Sequence, residues 1–257
     1  LVPGVDDGSR TLDDARDGLR QLLDAGIRRV VTTPHLNASL TQDPALLGDR
    51  LQEMDEGFLA LKTMAEEEYP QLDLLRGHEV MLDIPDPDLS DLRVHLGESP
   101  FVLVEWPGLR VPPSSQPVLT RLMASGVRPV LAHPERYHGL DKDARLAGEW
   151  RRAGALIQVN YGSLAGRYGD LPRRRSLSLL ERGWVDLLAT DFHGRPHLSP
   201  SLLQAKDVLF ELGGGAQFGL LAGLNPTRIL RGEDPIPVPP LTMKAGVWQR
   251  LRELFQT

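Results

Sequence analysis

Six apolar runs recur along this chain, and each closes on a polar residue at or just past its C-terminal end. The runs are RRVVTTPH, LDLLRGHEVM, FVLVEWP, VRPVLAHPER, ALIQVNYGS and VDLLATDFHG. Their closing residues are His35, Glu79, Glu105, His133, Asn160 and Asp191. Helix-like stretches separate the runs, so the pattern predicts a parallel α/β sheet. The runs are near-continuously apolar, as in strands buried on both faces. In a (β/α) barrel such strand ends converge on one face, where catalytic groups gather. Six strands close a barrel poorly. Leu1 is not a translation start, and one more strand immediately before it would make seven. The expectation is therefore a distorted (β/α)7 TIM-like barrel, a single domain over residues 1–257, with its first strand ahead of Leu1.

The helices between the runs follow from periodicity and end signals. Ser9 is placed to cap a helix carrying Leu12, Ala15, Leu19, Leu22 and Leu23, ended by Gly26. Further helices are expected from about Asp49 to Glu68, over SQPVLTRLMASG, near Lys142–Ala153 and near Pro172–Arg182, with helical segments to the end.

Composition removes several function classes. A net charge of −6 does not suggest a nucleic-acid-binding face. Zero cysteines exclude disulfides and thiolate metal sites, and they fit a reducing, cytoplasmic setting. No apolar run approaches the roughly 20 residues of a membrane span.

The strand-end residues form a hard ligand set. His35, His133 and His193 supply imidazoles, and Glu79, Glu105, Asp191 and Asp7 supply carboxylates. Such donors suit zinc, manganese or iron. So many on one rim would hold more than one ion, an arrangement that acts on phosphate esters. A lone strand-end His is commonly a hydrogen-bonded structural residue, so TTPH carries little alone. Glu79 has apolar neighbours, and an unpaired carboxylate there is costly. Asp191 and His193, two apart, project to the same side. His78 should point away from Glu79. His95 and His138 read as solvated loop residues, and the run Arg173–Arg174–Arg175 as a solvated helix face. Arg136 and Arg195 stand beside the ligand motifs, where a guanidinium would fork onto phosphate oxygens; the alternative for each is a surface ion pair. Asp6 is expected to hold its own turn.

TPH, GHEV, VEW, AHPERY and TDFHG, in this order and spacing, resemble the PHP (polymerase and histidinol phosphatase) superfamily. GVDDGS with AHPERY is most similar to its bacterial tyrosine-protein phosphatase branch, the CpsB/CapC-type enzymes of capsule and exopolysaccharide systems. The resemblance runs from Leu1 to about Arg231; the tail after Pro235 lies outside it. It implies a trinuclear, usually manganese-supported site that hydrolyses phosphotyrosine on a protein such as a bacterial tyrosine kinase. Glu79 would bridge two ions, with His133 and Glu105 on one ion and Asp191 on another. Asp7, His35 and His193 would fill the remaining positions, and Arg136 and Arg195 would bind phosphate. It also implies a strand bearing Asp-x-His-x-His directly before Leu1, with two further ligands. Two rival functions share part of this pattern: a phosphoesterase for a small molecule such as histidinol phosphate, and a non-catalytic regulatory barrel.

Overall fold

The computed structural model describes residues 1–140, 145–195 and 197–242. All the strands paired in ladders are parallel. The first two apolar runs are each broken in two. RRVVTTPH gives β1 (Arg29–Thr32) and β2 (His35–Asn37), and LDLLRGHEVM gives β3 (Asp73–Arg76) and β4 (Glu79–Met81). The breaks have local causes. Pro34 has no N–H to give a ladder. Gly77 lies so close to its surroundings that a Cβ would sit 2.9 Å from Leu96 and 3.1 Å from Val31. The remaining runs give β5 (Phe101–Glu105), β6 (Arg128–Leu131), β7 (Leu156–Asn160) and β8 (Leu187–Ala189).

Among the described residues β1 pairs only with β3, while β2, β4, β5, β6, β7 and β8 form a six-stranded sheet in that order. Among the described residues no ladder joins β8 back to β1 or β2. The α/β class and the parallel sheet stand; a closed barrel is not seen. A cavity of about 480 Å³ lies against these strands. Apolar side chains such as Val31, Leu103, Val130 and Leu187 line its lower part, and His35, Glu79, His133, Asp191 and His193 its rim.

Helices cover the sheet. They include α1 (Leu12–Asp24), α2 (Pro44–Glu68), α3 (Ser115–Ala124), α4 (Arg145–Arg152), α5 (Tyr161–Leu164) and α6 (Asp170–Glu181). After β8 come α7 (Leu202–Glu211), α8 (Gly215–Gly219) and α9 (Asn225–Leu230). Thr11, not Ser9, caps α1, accepting from the Asp14 amide at 3.1 Å. Ser9 is instead fully buried beneath the 190s loop. α2 starts five residues earlier than expected, because Asp43 caps it through the Ala45 and Leu46 amides and Pro44 takes its first turn. The start of the Lys142–Ala153 helix and the helical segments after Met243 fall outside the described residues. Those described of the proline-rich tail pack on the body: Val238 and Leu241 are buried, and Leu241 N–H donates to Leu180 O at 2.9 Å.

Two of the loop and surface readings need correction. His95 is buried, not solvated, with its ring nitrogens 2.8 Å from Ser99 O and 2.9 Å from Leu89 O. Arg175 donates to the carbonyls of Glu135, Tyr137 and Leu140, tying down the turn after β6. His138 is exposed, as expected. His78 is buried and turned from the rim, its Nδ1 bonded to Arg93 O at 3.0 Å. Burial holds that ring neutral, its pKa down at about 4.

Candidate metal centre

Parallel register gathers the rim. His35 pairs with Glu79, and Glu79 with Leu103. Glu105 lies two residues beyond Leu103, so strand alternation returns it to the same face, one layer nearer the strand ends. His133 and Asp191 stand just past β6 and β8, and both adopt left-handed backbone, at φ 33° and 46°. That conformation is uncommon for non-glycine residues. Strain of this kind costs about 1–3 kcal/mol and collects at functional sites. From His133 a single turn, Pro134–Arg136, carries Arg136 back to the rim, closed by Arg136 N–H on His133 O at 3.0 Å.

Two clusters result. Glu79, His133 and Asp191 present ligand atoms within 4.8 Å of one another, and so do Asp7, His35 and His193. In the first, His133 Nε2 lies 3.0 Å from Glu79 Oε1. In the second, Asp7 Oδ1 is 3.5 Å from the Nε2 atoms of both His35 and His193. Glu105 links them, 3.4 Å from His35 Nδ1 and 3.8 Å from His133 Nε2. All seven residues singled out as ligands therefore meet on one rim. Asp6 behaves as expected: Oδ1 accepts the Gly8 amide at 2.8 Å, and Oδ2 reaches the His35 amide at 3.2 Å.

The electrostatics record crowding. Burial and then the charge of Glu79 hold the Glu105 carboxyl above the usual carboxylate range. Burial opposes charge on the His133 ring, but its hydrogen bond to Glu79 and the charges of Glu79 and Asp191 outweigh that and push its pKa up to about 9. His35 is raised in the same way, burial being overcome by Glu79, Glu105, Asp7 and Asp6.

The arginines differ. Arg136 Nη1 donates to Asp191 Oδ2 at 2.6 Å, beside the first cluster. Arg195 is half-buried and donates through Nε and Nη2 to the Asp7 carbonyl, at 2.9 and 2.6 Å. It pins the loop that carries Asp7. Gly194 allows that contact: its φ is +62°, and a Cβ there would collide with Ser9 Oγ.

Three supporting residues were not picked out from the sequence for these roles. Asn160, noted only as a strand-end residue, donates from Nδ2 to Asp191 Oδ2 at 2.7 Å, its Oδ1 held by Gln158 at 2.9 Å. Glu135, fully buried, accepts from the Asn160 amide at 3.0 Å and the Ser163 hydroxyl at 2.6 Å. Tyr168 lies under Arg136, its ring centroid 4.4 Å from the guanidinium carbon. For Asn160 the strand-end position was the signal; a fully buried Glu beside Arg136 left none.

Known proteins resemble this chain along most of its length. Tyrosine-protein phosphatase YwqE of Bacillus subtilis is 27% identical over 247 residues, covering 95% of this chain and 94% of that protein. Tyrosine-protein phosphatase CpsB of Streptococcus pneumoniae is 24% identical over 237 residues, covering 90% and 95%. A solved structure from work on YwqE of B. subtilis and CpsB of S. pneumoniae, described as unique metal-dependent tyrosine phosphatases, matches with a TM-score of 0.78 at 26% identity, covering 95% of this chain and 96% of that one. The family model for capsular polysaccharide synthesis, CpsB/CapC, matches residues 1–231, which take in every rim residue described above. The chain belongs to the CpsB/CapC family.

Proposed function

We propose that this chain is a metal-dependent protein-tyrosine phosphatase acting on a phosphotyrosine-bearing protein of a capsule or exopolysaccharide system, its substrate a bacterial tyrosine kinase. The observation that carries the reading is the rim itself: Glu79, Glu105, Asp191 and Asp7 interleaved with His35, His133 and His193. This donor set fits divalent ions. Glu79 and His133 are buried, and carboxylates packed this closely repel unless a cation lies between them. The Nδ1 atoms of His35 and His133 are buried without a hydrogen bond. With no cysteine present, manganese, iron or zinc suits the donors, and manganese is our assignment, two to three ions per site. Glu79, His133, Glu105 and Asp191 would hold one part of that centre, and Asp7, His35 and His193 the other. We also take the parallel sheet as most of a distorted (β/α)7 barrel and the chain as one domain.

When bound, the ions would polarise a phosphoryl oxygen and make a nucleophile of water near neutral pH. The residues of the chain do the rest. Arg136 presents a planar fork of donors next to Asp191, where it would grip equatorial phosphate oxygens as charge redistributes. Arg195 holds the Asp7 loop at the rim. With the ions bound, Arg136 and Arg195 would make the rim locally positive although the chain as a whole carries −6. A phenolate leaves with a pKa near 10. An aryl phosphate therefore needs less general-acid help than an alkyl one, and the rim offers its imidazoles chiefly as ligands.

Excess chelator should abolish hydrolysis of a phosphotyrosyl peptide, and manganese should restore it. Full activity in chelator would refute the reading. Turnover of histidinol phosphate above that of the peptide would replace the substrate class while keeping the chemistry. A second expectation follows from His133. At pH 7.5 its ring carries a proton in the metal-free protein, since its pKa is about 9. A metal ligand must be neutral. Calorimetric titration of manganese in buffers of different ionisation enthalpy should report at least one proton released, His133 giving one and the raised His35 ring adding to it, and apparent affinity should rise with pH until about 9. Buffer-independent heats would show that His133 does not become a ligand.

A further inference from the structure

We propose that Tyr168 is a positioning residue for Arg136, setting the plane and reach of the guanidinium that binds the substrate phosphate. The inference rests on the phosphatase reading above. The Arg136 guanidinium lies over the Tyr168 ring at 4.4 Å, inside the range of a cation–π contact. Stacking uses the flat face of the guanidinium and leaves its N–H edge free. One point on that edge is fixed by Asp191, at 2.6 Å. A face contact and an edge contact together define the plane of a group that otherwise swings on a long, flexible stem.

The ring is itself held. It packs on the backbone of Gly162, where a Cβ would lie 2.9 Å from Tyr168 Cε2. The loop that presents it turns on Gly166 and Gly169, with φ of 82° and 88°, closed by Gly169 N–H on Gly166 O at 3.1 Å. Arg167 N–H donates to Gly162 O at 2.8 Å and ties the loop to α5, which directly follows β7. The end of β7 supplies Asn160, which donates to the same Asp191 oxygen as Arg136. Asp191, Asn160, Arg136 and Tyr168 thus form one assembly, with Tyr168 as its outer wall.

The ring face, not the hydroxyl, does the holding. Tyr168→Phe should therefore leave phosphate handling within about twofold. Tyr168→Leu keeps an apolar wall without the π face. In the manganese-loaded protein it should weaken inorganic phosphate binding in calorimetry, and raise KM for a phosphotyrosyl peptide, by roughly 3- to 30-fold, with kcat less affected. In an Arg136→Ala background the same change should add less than about twofold, because the phosphate-binding guanidinium that the ring orients is gone. Manganese content and circular dichroism identify misfolded variants, and Tyr168→Met replaces Leu if that variant fails to fold. Unchanged phosphate affinity in Tyr168→Leu, additive effects with Arg136→Ala, or equal damage from Tyr168→Phe would each overturn the role. If the wild-type protein neither bound phosphate nor hydrolysed the peptide, the phosphatase reading would fall and this role with it. A competent wild type with an indifferent Tyr168→Leu removes the role of Tyr168 alone.

Discussion

Glu79→Gln is expected to lower kcat/KM for a phosphotyrosyl peptide by roughly 10³-fold or more, with loss of bound manganese. The substitution keeps shape and hydrogen-bonding reach but removes the charge at the centre of the rim. Glu79 sits on β4 opposite His35 of β2, hydrogen-bonds His133 beyond β6, and shares its cluster with Asp191 beyond β8. An amide oxygen is a weaker ligand and cannot offset the charge of a divalent ion. The fold should tolerate the change, because the amide removes the charge that adds to burial in raising Glu105. Thermal shift separates the two effects. Manganese at 100 times its Kd stabilises a binding-competent protein by about 2.7 kcal/mol. The wild type should show that increment and Glu79→Gln should lack it, while their metal-free melting points stay close. Retained manganese with near-normal turnover would remove Glu79 from the centre.

Much of this site was legible before any coordinates, for a physical reason. A parallel α/β sheet puts every strand's C-terminal end on one side, so polar residues closing apolar runs must share a rim. That rule alone brought His35, Glu79, Glu105, His133 and Asp191 together. Asp-x-His spacing at Asp191 and His193 and the guanidiniums of Arg136 and Arg195 followed from local pattern. What failed was long-range or geometric. The left-handed backbone at His133 and Asp191 has no sequence signature, because neither is glycine. His95 looked like a loop residue, since its carbonyl partners at Leu89 and Ser99 come from turns whose path no periodicity reveals. Arg175 looked solvated because the carbonyls it meets lie 35 to 40 residues away. The cap of α1 fell to Thr11 over Ser9 because the 190s loop buries Ser9. The same reading gave six runs for the eight strands of the described residues: Pro34 interrupts its run by lacking an N–H, and Gly77 interrupts its own where Leu96 and Val31 approach the backbone.

Trp150→Ala is the substitution expected to cost most in stability, about 3–5 kcal/mol in denaturant unfolding. Trp150 on α4 is fully buried, among the largest such side chains of the described core. Its Nε1–H donates to Ser115 Oγ of α3 at 3.1 Å, so the indole joins two helices as well as filling space. Truncation leaves a cavity the size of an indole between elements that strands β6 and β7 hold in place, and it leaves the buried Ser115 hydroxyl without that donor. For a chain of this length the melting point should fall by about 2–4 °C per kcal/mol, hence by roughly 6–20 °C. Trp150→Phe should recover more than half, because it refills most of the volume but not the hydrogen bond. The consequence reaches the rim through two edge-to-face contacts. Trp150 meets Tyr137 at 6.2 Å between ring centroids, and Tyr137 meets His133 at 6.0 Å. His133 is held in strained backbone, so loosening its ring support should weaken manganese binding even at temperatures where Trp150→Ala is fully folded. Measuring manganese affinity at about 15 °C below the variant's own melting midpoint separates this from simple unfolding. A loss of less than 1 kcal/mol would show that the core closes over the vacancy, and unchanged affinity in the folded variant would show that the aromatic ladder carries stability alone.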